Sequence, residues 1–104
     1  MRIIDEPLLQ LFRDKQQCEY CGRKLRYRPE VHHVFARGMG SGTRLDIAIN
    51  LIALGSWMDC SCHQRFHAGH IARHDLLAVV AAREKMLQDD IEREICRLRQ
   101  ARKP

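Results

Sequence analysis

The sequence predicts a small α+β domain organised around metal, and three observations carry that prediction. Two close pairs of thiols, Cys18-x-x-Cys21 and Cys60-x-Cys62, bracket the middle of the chain. His63 and His67 stand four residues apart within a helical pattern, on one face. The doublet His32-His33 sits in a run of β-branched and aromatic residues that reads as a strand. With 104 residues and 12.2 kDa, the chain is one domain. At that size folding recovers only about 60–70% of the unfolded chain's surface. Few consecutive apolar residues lie between Cys18 and Gly55, so a metal cross-link is expected to complete the core there.

The elements follow in order. Pro7 opens an amphipathic helix to Lys15, in which Leu8, Leu9, Leu11 and Phe12 share a face. Cys18 to Gly22 is a tight knuckle: two thiolates separated by two residues grip one ion only if the backbone turns sharply, and Gly22 permits the turn. Leu25 to Tyr27 is expected to leave it as a short strand. Val31 to Phe35 forms the next strand, and alternation puts His32 and His33 on opposite faces, so both reach one site only if the strand ends or bends there. Arg37 to Thr43 reads as a glycine-rich linker; no Gly-Lys-Ser/Thr ends it, which excludes a nucleotide-binding loop. Asn50 to Leu54 reads as a second strand, giving a hairpin with the first.

A helix then starts near Ser61 and stops at Gly69. Asp75 can cap a further helix to about Lys85, and Gln88, Asp89 or Asp90 can start another lined by Ile91, Ile95 and Leu98; one bent helix is the alternative. The fifth cysteine, Cys96, falls in that last pattern and is expected to pack, buried or half-buried.

The net charge of +5 and a pI near 9.2 come mainly from arginine, which suits phosphate oxygens and makes nucleic acid the natural partner, although a basic soluble domain explains charge alone equally well. No apolar run is long enough to span a bilayer, and the N-terminus lacks a secretory signal, so an intracellular, cytoplasmic protein without membrane contact is expected. In that reducing setting the close cysteines read as ligands rather than disulfides. A thiol redox pair at Cys18-x-x-Cys21 would need a βαβ context that the pattern does not contain.

The order Cys18-x-x-Cys21, His32-His33, Asn50, Cys62-His63-x-x-x-His67 resembles the HNH endonucleases over roughly residues 18 to 69. The resemblance implies a ββα-metal, treble-clef-like core between flanking N- and C-terminal helices (7–15 and 75–101), and hydrolysis of DNA phosphodiester bonds. It implies that His33 is the general base, that His32, His63 and His67 hold one catalytic divalent ion, and that Asn50 clamps loop backbone and helps orient the base. The plain reading of Asn50 is a residue that starts a strand. The ion is left open among Mg²⁺, Mn²⁺, Ni²⁺ and Zn²⁺. It would offset charge on the phosphate and the leaving 3′ oxygen, giving 5′ phosphate and 3′ hydroxyl products.

Cys18, Cys21, Cys60 and Cys62 correspond to the family's structural Zn²⁺ site, with a departure: one residue, Ser61, separates the second pair where the family usually has two. Asp59 is therefore an alternative oxygen ligand to Cys60, with thiolate favoured. Trp57 is expected to cover the zinc site, or else to lean on DNA. Arg37 and Arg65 are the candidate phosphate contacts, Arg65 the weaker because it lies on the helix between two inward histidines. Partners implied by the likeness are double-stranded DNA and phage packaging or other DNA-processing proteins. The alternative is a non-catalytic zinc-stabilised nucleic-acid-binding module, which leaves His32, His33, Asn50, His63 and His67 without a role.

Overall fold

A computed structural model describes residues 2–35 and 44–100 of the chain, an α+β arrangement with four helices and two small sheets. Strand β1 (Arg2–Ile3) pairs in parallel with β3 (Arg44–Leu45). Strand β2 (Glu30–His33) pairs antiparallel with β4 (Leu51–Leu54), with His32 opposite Ile52 and His33 opposite Leu51. The β1–β3 pair has no counterpart in the sequence reading, because two-residue strands leave no alternation to detect.

Helix α1 (Glu6–Arg13) starts at Asp5, whose Oδ1 accepts the Leu8 N–H at 3.0 Å, and has Pro7 in its first turn. Leu9 and Phe12 are buried, but Leu11 is 66% exposed. At about 100° per residue Leu11 points roughly 130° away from the midpoint of Leu9 and Phe12, so the expected four-residue apolar face contracts to its inner part.

After the helix, the Cys18 N–H donates to the Arg23 carbonyl and the Gly22 N–H to the Cys18 carbonyl, with Gly22 at φ 78°. The expected strand at Leu25 to Tyr27 does not form. Leu25 donates to the Gln16 carbonyl at 2.8 Å, but the Arg26 and Tyr27 N–H groups turn to the Asp59 carboxylate, at 2.9 and 3.1 Å. Satisfied by one side chain, that backbone has no need of a neighbouring strand.

Strand β2 is shorter than expected for an equally local reason. Beyond His33, the Val34 N–H donates to the Asn50 carbonyl and the Phe35 N–H to Asn50 Oδ1, at 2.9 and 2.8 Å. Asn50 itself closes a 3₁₀ turn, Ala48–Asn50, before β4 begins. Strand β4 is buried on both faces. Leu51 and Ala53 pack with Leu9 and Phe12 of α1, whereas Ile52 and Leu54 belong to the main core with Val34, Cys18 and Cys62.

Helix α2 (Cys62–His67) ends at Ala68 and Gly69, the glycine at φ 84°. Helix α3 (Arg73–Glu84) begins two residues ahead of Asp75, which is therefore not its N-cap. From the third helical position Asp75 reaches back to accept the Ala72 N–H at 3.0 Å. Lys85 at φ 57° separates α3 from α4 (Gln88–Gln100), so the tail is two helices and not one bent one. Leu76, Leu77 and Val80 of α3 and Ile91 and Ile95 of α4 fill the main core. Cys96 is exposed, contrary to the packing role expected of it, because it follows Ile95 by about 100° around the helix. None of the described helices is long and apolar enough to cross a membrane.

The core assignment makes Ile95→Ala costly and Leu11→Ala nearly silent. We expect losses of about 2–4 kcal/mol for the first and below about 0.5 kcal/mol for the second in urea unfolding, with bound metal content unchanged in both.

Candidate metal centre

The knuckle and the turn entering α2 bring four thiols together. The sulfurs of Cys18, Cys21, Cys60 and Cys62 all lie within 4.8 Å of one another, Cys18 and Cys62 buried, Cys60 half-buried and Cys21 exposed. Four sulfur donors in that compass could hold a metal ion such as zinc. Burial raises the Cys62 thiol well above its ordinary range, and hydrogen bonds and charge from the other three cysteines raise it further. A bound cation reverses that balance, since coordination favours thiolate.

The short Cys-x-Cys spacing is accommodated by backbone. Ser61 adopts φ 61°, ψ 19°, a left-handed conformation that reverses the chain between the two sulfurs. The Asp59 and Ser61 N–H groups donate to the Ser56 carbonyl and the His63 N–H to the Gly55 carbonyl. A Cβ on Gly55 would lie 2.3 Å from the Cys60 sulfur, so only glycine leaves room for it. Asp59 is engaged elsewhere: its two oxygens accept the Arg26 and Tyr27 N–H groups, and the fourth donor of the cluster is Cys60. Trp57, expected to cover the cluster, is 70% exposed.

A second donor group lies across β2 and α2. The ring nitrogens of His32, His63 and His67 also fall within 4.8 Å of one another. Nε2 of His63 faces Nε2 of His67 at 3.1 Å, a contact between two nitrogens that needs a proton or a cation between them. Nε2 of His32 is buried and has no hydrogen-bond partner among the described residues. Burial, followed by the neighbouring charges of His63 and His67, lowers the His32 pKa to about 4, so this imidazole is neutral at pH 7 and can act as a donor. Glu30 completes the arrangement. Its carboxylate lies 3.0 Å from Nδ1 of His63, which places the proton on Nδ1 and the lone pair on the Nε2 that faces the group. His63, then Gln64, hold the Glu30 carboxyl below its usual range against the opposing effect of burial. A buried orphan nitrogen, a close nitrogen pair and a carboxylate behind one imidazole together fit a three-histidine metal site.

His33 points to the other side of β2. Its Nε2 lies 2.7 Å from Oδ1 of Asp46. Asp46 is only 1% exposed, and it also accepts hydrogen bonds from Arg44 Nε at 3.1 Å, from an Arg44 terminal nitrogen at 3.0 Å and from the Asp5 N–H at 3.0 Å. Burial alone would raise the Asp46 pKa; these donors outweigh it and bring the value to about 2. Asn50, fully buried, donates from Nδ2 to the Leu45 and Phe35 carbonyls while its Oδ1 accepts the Phe35 N–H, so one side chain ties the ends of β2 and β3 together.

Of the candidate phosphate contacts, Arg37 lies outside the described residues, and Arg65 is exposed on α2. The arginine whose charge bears on His32 is Arg73, its guanidinium 5.0 Å from the Phe35 ring centre at the start of α3. Glu30, Asp46 and Arg73 are thus site residues that sequence reasoning missed. Glu30 stood two residues before the histidine doublet and was the one with a local signal. Compared with protein-family models, curated proteins and solved structures, the chain finds no match, so its own geometry carries the functional reading.

Gly55→Ala should drive the Cys60 sulfur from the cluster and lower tightly bound zinc from about one ion per chain to well below it in metal analysis of the purified protein. Ser61→Gly, which suits the left-handed backbone, should retain the metal.

Proposed function

We propose that the chain is a metal-dependent DNA endonuclease of the HNH kind, with His33 as the general base. The observation that carries this reading is the division of labour on β2: His32 turns an unpartnered buried nitrogen toward His63 and His67, while its neighbour His33 is anchored through Nε2 to a buried carboxylate. The hairpin of β2 and β4 followed by α2 has the order of a ββα-metal core, and the four cysteines would give its structural Zn²⁺ site.

His32, His63 and His67 would hold the catalytic divalent ion, Mg²⁺, Mn²⁺, Ni²⁺ or Zn²⁺, which would supply positive charge to offset that on the phosphate and the leaving 3′ oxygen. Because ionised Asp46 can only accept, His33 carries its proton on Nε2 and presents Nδ1 as the base. Nδ1 takes a proton from water as its oxygen bonds to phosphorus and the P–O3′ bond breaks, leaving a 5′ phosphate and, once solvent protonates it, a 3′ hydroxyl. Asp46 keeps the ring oriented and offsets the charge the imidazole gains. Asn50 holds the strand end beside His33, and Arg73 offers a cation to phosphate.

Double-stranded DNA is the substrate that the basic charge favours, and reduced cysteine ligands suit the cytoplasm. A non-catalytic zinc module would use the four cysteines alone. It leaves the histidine cluster and the His33–Asp46 pair idle.

A supercoiled-plasmid nicking assay with each candidate ion tests the proposal. The native chain should cut, His33→Ala should lose about 10²- to 10⁴-fold in rate, and Asp46→Asn should lower the rate at saturating DNA with zinc content unchanged. Equal cutting by native and His33→Ala protein removes His33 as the base. No cutting with any ion favours the binding module.

A further inference from the structure

We propose that residues 23–28 and Trp57 form a second contact surface, one that takes the sugar-phosphate backbone of DNA beyond the histidine cluster. Its place beside a cut rests on the endonuclease reading; the contact itself rests on the chemistry of the surface. Arg23, Lys24, Arg26 and Arg28 are all exposed within six residues. None of them forms an ion pair among the described residues. Four unmatched cations at that density repel one another and gather counter-ions, whose release on meeting a polyanion favours binding.

Large apolar groups stand in water on the adjoining segments. Trp57 is 70% exposed, Tyr27 51% and Met58 40%. Asp59 joins the two segments by accepting the Arg26 and Tyr27 N–H groups, and in doing so commits both carboxylate oxygens to backbone. A groove of about 310 Å³ runs alongside, with Arg13, Asp14, Lys15, Arg26, Tyr27 and Arg28 in its walls. Arg13 is paired with Glu6 and Lys15 with Glu19, and Asp14, which accepts from the Gln10 amide, is the one carboxylate in the walls, so the unpaired charge of Arg26, Arg28 and Asp14 sums to a net positive. Tyr27 in one wall with the free guanidinium groups of Arg26 and Arg28, and Trp57 exposed on the segment that Asp59 ties to them, match the alternation of phosphates with sugars and bases along a nucleic-acid strand. The surface is also near the histidines along the chain. From Arg28 to His32 the backbone spans at most about 14 Å, or roughly four base-pair rises.

Trp57 is the chain's single tryptophan, so its emission reports on this surface alone. The test titrates the zinc-loaded chain, without added catalytic metal, with a short duplex and with one of its strands, following Trp57 emission and the anisotropy of labelled DNA across a salt series. Trp57 emission should change on saturation with DNA. Arg26→Gln/Arg28→Gln should bind at least ~10-fold more weakly near ~0.1 M salt and flatten the log–log salt slope by about 2. Trp57→Ala should weaken binding about tenfold. Unchanged Trp57 emission at saturation overturns the proposal, as does a native salt slope in the double variant with full zinc content. Binding of the expected kind without any cleavage would retain this surface and remove the nuclease.

Discussion

Closure of the four-cysteine cluster is the constraint on which the rest of the structure depends. It joins the knuckle at Cys18 and Cys21 to the turn at Cys60 and Cys62, and so fixes where α2 starts. Cys62 and His63 are consecutive, and the helix period then decides everything downstream: with Cys62 directed into the core, His63 and His67 share the face that meets β2. The left-handed Ser61 and the missing side chain at Gly55 are the local conditions that let so short a Cys-x-Cys link close. A metal ion held there would give a small chain more than a cross-link. The element that completes its core also positions one wall of the proposed reaction site.

The opposite wall is set by the pleat of one strand. In β2, alternation sends His32 inward to α2 and His33 outward to Asp46, and the strand stops directly afterwards because Asn50 takes the next two N–H groups. Asp46 is in turn held by the N-terminal segment. The Asp46 N–H donates to the Ile3 carbonyl, and the Asp5 N–H donates back to the Asp46 carboxylate. The first residues of the chain are thereby coupled to His33 through two hydrogen bonds and the β1–β3 pair. Nothing about their composition announces such a role.

Legibility in the sequence followed locality. Cys18-x-x-Cys21 and His63-x-x-x-His67 are short spacings whose geometry is fixed by a turn or a helix, and the structure brings both sets together with their more distant partners. Asp46 and Arg73 were not legible, because their contacts with His33 and Phe35 cross separations no local pattern encodes. The errors have the same origin. Leu25 to Tyr27 has strand-like residues, yet a carboxylate more than thirty positions away satisfies its backbone. Helical spacing puts Leu11 on the apolar face and Cys96 beside Ile95, and Trp57 is expected over the zinc site or else on DNA, whereas all three side chains are exposed.

Two groups of donors of different chemistry, one of sulfur and one of imidazole, share helix α2, and each could hold its own ion. Titrating the metal-free chain with Co²⁺ and following its optical spectrum tests this most directly. Two classes of site are expected: one with thiolate-to-cobalt charge transfer and tetrahedral ligand-field bands, and a second without thiolate character that His63→Ala removes while leaving the first intact. A single class of site, or loss of the thiolate bands in His63→Ala, would contradict it.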